Sequence, residues 1–349
     1  FKKRRLIMIE LDINVPKKEA SQHLMPRIHA IEPHSYESYI KDASNLAGVS
    51  PDISRITNEL INDKPKSVAN RLFARLLDEI ESDLSNPQIG IAAVDIPESS
   101  SYNLTDNAFW GVALSLALGS NIFSLGQDRI NSTPYTAYAA SYRKSKGLTD
   151  LGLQPVAPET KLGFHTDGVL IGDKVSMPIN IMLYNVSIEY RKPGNFYWVP
   201  FSMWAERDAY VKRVGLDRIY NIKVTPSVYE IDENHLEIVS PQQVTAPIFV
   251  STESFGVTIY LNGDVIYDSD FDLSTIEDLR CSLAANGIRF SVPQKTRRLI
   301  FVRNVLGAHA RDIFEEPNSD APFTRIFLRS VDDNCIELNS RSVTKSGDQ

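Results

Sequence analysis

The sequence predicts an α+β fold in which helices flank a double-stranded β-helix, or jelly-roll, core. Two observations predict it. Helical periodicity dominates roughly the first 130 positions, and from about residue 135 the period changes to mostly short strand-like runs separated by turn residues. No internal repeat and no low-complexity linker divides the 349 residues. One domain over 1–349 is therefore expected: a helix-rich part over about 1–130, a jelly-roll core over about 131–335, and a strand-rich insertion over about 220–270.

Residues 3–12 (KRRLIMIELD) read as an opening strand, and 19–31 and 36–46 as helices. Residues 67–81 carry the clearest amphipathic pattern, with Val68, Leu72, Leu76 and Ile80 at helical spacing. Asn86-Pro87 ends that region, and 88–96 (QIGIAAVDI) reads as a buried strand closed by Pro97. Residues 106–118 follow as a helix with Asp106 as cap. Strands are expected at 135–142, 161–165, 180–186 and 196–199, the last leading into a helix at 202–214. In the segment 220–270, Asp232-Glu233-Asn234 marks a turn. Asn262-Gly263 predicts a hairpin between 257–260 and 265–267. A helix over 274–285 should stop at Asn286-Gly287, before strands at 288–292, 298–303 and 324–331.

Composition narrows the function. The chain is 42% hydrophobic and 23% charged, an ordinary globular balance, with a formal charge of −7. That charge disfavours nucleic acid, whose binders carry a basic footprint. The longest apolar stretch, 109–118, is about half the ~20 residues a membrane span requires, so no membrane role is expected. Lys2-Lys3-Arg4-Arg5 precedes an apolar run that Glu10 and Asp12 interrupt, which is no signal peptide. Only Cys281 and Cys335 occur, so there is neither a disulfide framework nor a CxxC metal site. A reducing cytoplasm fits both.

The chemistry-bearing pattern is His165-Thr166-Asp167, answered far along the chain by His309 and then Arg325. Two imidazoles and one carboxylate can occupy one face of an octahedral iron(II) and leave three positions open. An arginine nearby can fork onto the carboxylate of an organic acid. The tripeptide alone is weak evidence: six histidines in a chain with 44 acidic residues predict about one such match by chance. A second does occur, His235-Leu236-Glu237, but it follows a polar turn and reads as a solvated hairpin. His165 instead ends an apolar strand, and Gly163 and Gly168 bracket the tripeptide and permit a tight backbone. His309 follows the buried run Leu299-Ile300-Phe301-Val302; a lone histidine there is more often a satisfied core residue than a ligand.

What raises the odds is the surrounding pattern: Asn304, His309, Arg311 and Phe314 as NxxxxHxRxxF, then PFTRIFLRSV over 322–331. With Phe164-His165-Thr166-Asp167, these pieces resemble the clavaminate synthase-like group of iron(II)- and 2-oxoglutarate-dependent oxygenases, related to taurine dioxygenase. Weaker matches lie at 88–96 and 194–198, and order and spacing agree over about 85–335. The resemblance implies that His165, Asp167 and His309 are the catalytic metal ligands and that Arg325 anchors the C5 carboxylate of 2-oxoglutarate. Arg329 shares that strand face about 13 Å away, too far to hold the same carboxylate. Arg325 is preferred because it matches the family position and sits nearer the metal end. Arg329 is left for substrate or, as the favoured expectation, for a surface acid. Arg311 orients the site or meets substrate, unless it pairs with Asp312 or Glu315. The family's Gly-Gly-x-Thr is here Gly194-Asn195-Phe196-Tyr197, so the usual threonine is absent; Tyr197 either supplies a hydroxyl or belongs to the core. The glycine common after the second histidine is Ala310.

The resemblance further implies iron(II), 2-oxoglutarate and O2 as cofactor and cosubstrates, with ascorbate helpful in vitro. Decarboxylation to succinate would be coupled to oxidation of an unactivated C–H, and Asp167 fills the position that iron halogenases leave for chloride. A small amino acid or amino-acid-derived metabolite is the implied substrate. Candidate substrate contacts are Gln127, Asp128, Tyr138, Arg311 and Arg329. For Asp128 the alternatives are an ammonium partner, a turn cap, or a pair with Arg129. The 220–270 segment is a lid, a homodimer contact or simply extra strands. Two rivals remain: a cupin-like metal enzyme, which would want three histidines and a glutamate, and a non-catalytic ligand-binding jelly roll.

Overall fold

The structure, a computed structural model, describes residues 26–47, 64–128, 132–140, 154–155, 162–171, 174–224, 230–232, 235–237, 242–262, 264–265, 270–318 and 320–338. In chain order the first elements are β1 (Ile28–Ala30), α1 (Pro33–Ala47), α2 (Lys64–Ser85), β2 (Ile91–Asp95), α3 (Leu104–Ile122), β3 (Thr136–Ala140) and β4 (Gln154–Pro155). Then come β5 (Leu162–His165), β6 (Val169–Ile171), β7 (Lys174–Pro178), β8 (Ile181–Ile188), β9 (Tyr190–Lys192), β10 (Asn195–Pro200) and α4 (Arg207–Val214). The strand-rich segment holds β11 (Ile219–Val224), β12 (Glu230–Asp232), β13 (His235–Glu237), β14 (Gln242–Pro247), β15 (Phe249–Thr252), β16 (Gly256–Ile259) and β17 (Asp264–Val265). The last are α5 (Asp270–Asn286), β18 (Phe290–Pro293), β19 (Arg298–Val302), β20 (Gly307–Arg311), β21 (Glu315–Pro317), β22 (Arg325–Val331) and β23 (Cys335–Glu337).

Two sheets dominate. The larger runs β1-β2-β19-β8-β22-β3-β4, the smaller β18-β10-β20-β5. Alternation along each strand sorts side chains between three layers. In β2 and β19, Ala92, Val94, Leu299 and Phe301 join the core formed with α1, α2 and α3. Their neighbours Ile91, Ala93, Ile300 and Val302 face the other way and pack with Phe196, Trp198, Phe290 and Val292 of the smaller sheet. A third core, outside the smaller sheet, takes Val199, Ala308 and Ala310 together with Ile276, Leu279 and Leu283 of α5. Each large apolar side chain sealed in these layers contributes about 1.5–3 kcal/mol. By the same parity His309 and Arg311 of β20, and Arg325, Phe327 and Arg329 of β22, lie on the faces opposite those that hold Ala308, Ala310 and Leu328 in the outer cores.

Several expectations change in detail. Residues 28–30 are not helical: they form β1, which pairs in parallel with β2 through Ile28↔Ala93, so sheet extension overrides local propensity. Residues 3–12 and 19–25 lie outside the described residues. In α2 the apolar stripe is displaced, with Phe73, Leu77 and Leu84 buried beside Val68 and Ile80, and the helix kinks at Phe73 (φ −122, ψ 22). Leu72 and Leu76 pack at its margin. The cap of α3 is Asn103, whose side chain accepts from the Asp106 amide; Asp106 itself lies in the first turn. The helix expected at 202–214 is divided into a 3-10 turn, Phe201–Met203, and α4. Of the hairpin expected at Asn262-Gly263, residues 263, 266 and 267 lie outside the described residues; the described parts pair elsewhere, β16 with β15 (Phe249↔Ile259) and β17 with β11 (Ile222↔Val265). The competing His235-Leu236-Glu237 does sit in a hairpin, β12 against β13. Among the described residues, no helix is long and apolar enough to cross a membrane.

One buried cation staples the helical layer to the sheet. Arg297, at φ +62, donates from Nε to Ile96 O (3.1 Å), from Nη1 to Asn107 O (2.8 Å), and from Nη2 to the Tyr36 hydroxyl (2.9 Å) and Pro97 O.

Candidate metal centre

β5 and β20 pair so that His309 stands directly opposite His165, with a register shift between His309 and Arg311. Cross-strand neighbours place the imidazoles side by side, their centroids 4.1 Å apart and their planes tilted by 54°. Asp167, two residues past the end of β5's histidine, turns back toward both: its Oδ1 is 3.6 Å from His165 Nε2 and 3.6 Å from His309 Nε2. One ligand atom from each of the three residues lies within 4.8 Å of the others. The structure thus brings together the three ligands expected from sequence.

The turn is braced on every side. The Asn304 side chain accepts from Asp167 N (2.9 Å) and donates to Asp167 O (3.0 Å) and Pro178 O (2.9 Å). Thr166 Oγ1 accepts from Leu261 N (2.9 Å). A Cβ on Gly168 would come within 2.6 Å of the Tyr260 hydroxyl and of Asn262 Nδ2, so glycine is required for this close approach. His165 Nδ1 donates to Gly163 O (2.9 Å), which turns the Nε2 lone pair toward Asp167. His309 is oriented by a stacked Phe196 ring at 5.4 Å, and its buried Nδ1 has no partner.

Electrostatics prepare the ligands. Burial, with His165 alongside, pushes His309 down to about 3, and burial also lowers His165. Both are neutral near pH 7, the form that binds a cation. Burial would raise Asp167, but Arg329, His309 and His165 hold it well below the usual carboxylate range. Two neutral imidazoles and a carboxylate suit a borderline divalent ion such as iron(II).

Arg329 is where the sequence reading needs correcting. Its partner is no surface acid: Nε donates to Asp167 Oδ2 at 2.6 Å. Arg329, not Arg325, therefore stands at the metal end of β22. Tyr138 hydrogen-bonds Arg329 and stacks on Phe327 at 4.8 Å and 11°, so this predicted substrate contact does border the site.

Arg325 lies further along the inner face. It is 4% exposed, and Nη2 donates to Asn185 Oδ1 (2.9 Å) and Gln294 Oε1 (3.2 Å). Its guanidinium sits over the Phe314 and Phe327 rings at 4.6 and 4.0 Å. Arg311 lies over the same Phe314 ring at 5.5 Å. Burial, then Arg311, pulls Arg325 well below the usual arginine range. Among the described residues, two buried donors here, Arg325 Nε and Gln294 Nε2, have no hydrogen-bond partner. A carboxylate is the group whose chemistry matches such donors, so this buried cluster suits an organic anion.

The other expectations resolve locally. Tyr197 packs in the outer core and donates to Asp312 Oδ2 (2.9 Å), which removes it as a stand-in for the missing threonine. Asp312 also accepts from Asn195 N (2.9 Å). Gln127 is exposed and donates to Ser132 O (3.2 Å). Asp128 accepts from Thr136 Oγ1 (2.6 Å) and closes a turn through Ser132 N (2.9 Å). Because Thr136 is the cross-strand partner of Arg329, Asp128 stands at that end of the inner face; Arg129 lies outside the described residues. Sequence reasoning gave no role to Asn185, Gln294, Tyr260, or Arg280 of α5, whose charge reaches His165. Only Asn304 carried a signal, its place five residues before His309.

No family model matches the chain, and no curated protein matches it. Solved structures do. Asparagine oxygenase in complex with Fe(II), 2S,3S-3-hydroxyasparagine and succinate aligns with a TM-score of 0.58 at 13% identity, covering 87% of this chain and 93% of its own. The non-heme iron oxygenase OrfP with Fe and α-ketoglutaric acid aligns at 0.57 and 13%, covering 88% and 93%. OrfP with Fe and L-Arg aligns at 0.56 and 11%, covering 88% and 93%. The chain has the mixed helix-and-sheet fold of these oxygenases, as the sequence resemblance implied.

Proposed function

We propose that this chain is an iron(II)- and 2-oxoglutarate-dependent oxygenase, built as one domain on a double-stranded β-helix core. It hydroxylates, or otherwise oxidises, an unactivated C–H of a free amino acid or a small amino-acid-derived metabolite. The observation that carries this reading is the convergence of His165, Asp167 and His309 within 4.8 Å. The fold supports it, because asparagine oxygenase and OrfP hold Fe, 2-oxoglutarate or succinate, and amino acids on the same architecture.

When bound, iron and 2-oxoglutarate supply the oxidising power: O2 is consumed, 2-oxoglutarate becomes succinate and carbon dioxide, and the second oxygen atom goes to substrate. The protein's part is binding, aiming and drying. His165, Asp167 and His309 hold the ion. Arg325, with Gln294 and Arg311 beside it, takes the distal carboxylate of 2-oxoglutarate. Tyr138 and Arg329 border the side from which substrate approaches. Two free thiols, Cys281 and Cys335, suit the reducing cytoplasm in which iron(II) persists. The described residues assemble one His/Asp cluster and not the three-histidine, one-glutamate set of a cupin.

Succinate release from 2-oxoglutarate under air, with Fe(II) and ascorbate, tests this across a panel of amino acids. Stimulation by one of them is expected, and His165→Ala should abolish turnover. Full succinate release by His165→Ala would remove this cluster from the chemistry.

A further inference from the structure

The Asp167 carboxylate is divided between two tasks. Oδ1 faces both imidazoles at 3.6 Å, while Oδ2 is held by Arg329 Nε at 2.6 Å. We propose that Arg329 is a positioning residue that confines Asp167 to one-oxygen coordination and so keeps a third metal position open for the reaction. The proposal rests on the oxygenase reading above.

Octahedral arithmetic gives the reason. Two imidazoles and one carboxylate oxygen fill three of six positions. A cosubstrate acid bound in bidentate fashion, together with O2, would take the remaining three. A carboxylate free to rotate can chelate through both oxygens, and one of those three places is then lost. A backbone clamp cannot prevent this. Asn304 fixes the Asp167 main chain, but rotation about the side-chain torsions remains. Only a partner on Oδ2 itself blocks the second contact.

Arg329 is built for that task. The Tyr138 hydroxyl favours its charged form, and the Tyr138 ring is stacked on Phe327 at 4.8 Å. Arg329 projects from β22, a strand paired on both edges, with Leu183 on one side and Thr136 on the other. An ion pair at 18% and 14% side-chain exposure is only weakly screened.

The test compares wild type with Arg329→Met, Arg329→Lys and Tyr138→Phe, without substrate and without oxygen. Co(II) binding is followed by its visible d–d spectrum, which reports coordination number, and 2-oxoglutarate binding to the loaded protein by calorimetry. In Arg329→Met the metal should bind as tightly as in wild type or tighter. Its spectrum should shift, and 2-oxoglutarate affinity should fall by about tenfold or more, about 1.4 kcal/mol or above. Arg329→Lys and Tyr138→Phe should show the same pattern more weakly, and added guanidinium should partly restore Arg329→Met. If wild type binds neither Co(II) nor 2-oxoglutarate, the oxygenase reading falls. If wild type binds both, and Arg329→Met keeps its spectrum and its 2-oxoglutarate affinity while only substrate KM rises, Arg329 is a substrate contact and the positioning role is wrong. Joint loss of metal and 2-oxoglutarate in a folded Arg329→Met would equally overturn it.

Discussion

Arg325→Met separates a binding role for this buried arginine from a structural one. The substitution deletes Nη2 donation to Asn185 and Gln294 and leaves two buried amide oxygens without partners, at about 1–3 kcal/mol each. Against that, it removes a guanidinium sealed at 4% exposure beside Arg311, whose charge already depresses it. Relief of an uncompensated buried charge is worth several kcal/mol. The two effects nearly offset, so the ligand-free variant should stay within about 2 kcal/mol of wild type. Binding of 2-oxoglutarate should not survive. Two charge-assisted hydrogen bonds at about 1.5–3 kcal/mol each correspond to at least a hundredfold loss in affinity. Anaerobic thermal unfolding with Fe(II) reads both quantities. At a concentration 100 times the wild-type Kd, 2-oxoglutarate should stabilise wild type by about 2.7 kcal/mol and the variant by at most about 0.4 kcal/mol. A variant that keeps the full ligand-induced stabilisation, or that unfolds without ligand, would refute the assignment of this pocket to an organic anion.

Three further outcomes follow from the geometry. Gly168→Ala places a Cβ within 2.6 Å of Tyr260 and Asn262; it should displace the Asp167 turn and cut metal affinity tenfold or more, of order the ~10–100-fold seen when ligand support is lost, as read by Co(II) titration. Arg297→Ala should cost about 3–5 kcal/mol in urea unfolding, because it removes a buried cation from three carbonyls and the Tyr36 hydroxyl. Asp95→Asn tests a pH-linked contact. Burial raises the Asp95 carboxyl, but Arg298 and then Lys295 outweigh it and lower its pKa, through Arg298 Nε at 2.7 Å and Lys295 Nζ at 2.7 Å. A depressed folded-state pKa contributes stability above the unfolded value near 3.8 and loses it as pH falls through the folded one. Asp95→Asn should therefore destabilise by about 1–3 kcal/mol at pH 7. The gap to wild type should close only in strong acid; a gap that closes by pH 5 would contradict the ion pair.

The layers were legible in the sequence where periodicity and burial agree. The run 88–96 and the run Leu299-Ile300-Phe301-Val302 read as buried strands, and they pair side by side within the larger sheet, Leu299 against Val94. Their apolar faces on both sides reflect helices on one side and the second sheet on the other. Misreadings arose where a distant partner decided the outcome. Residues 28–30 look helical locally, yet β2 offers an unpaired edge and they extend it. The neighbours of 257–262 were equally beyond local reading: β16 pairs with β15, and the Leu261 amide and the Tyr260 ring lie against the turn 166–168.

The site divides along the same line. Ligand identity is local chemistry: two imidazoles and a carboxylate are recognisable as types, and HxD spacing lets a strand end aim two of them together. Which arginine does what is not local. Arg325 and Arg329 share a strand, a face and a charge, and sequence offers no reason to send one to the metal and the other to an anion pocket. The assignment comes from their cross-strand neighbours. Arg325 is paired with Ala140 and Ile188, beside Asn185 and Gln294, whose amides can host a guanidinium. Arg329 meets the chain where β5 has ended and Asp167 has turned inward. One strand thus presents two cations to two different carboxylates, and a single-residue slip of β22 would turn both away from the inner face. The shift in the β22–β8 register between Ile326 and Phe327 leaves Val186 of β8 as the extra residue, so β22 keeps its alternation against β3 and both arginines stay on the inner face.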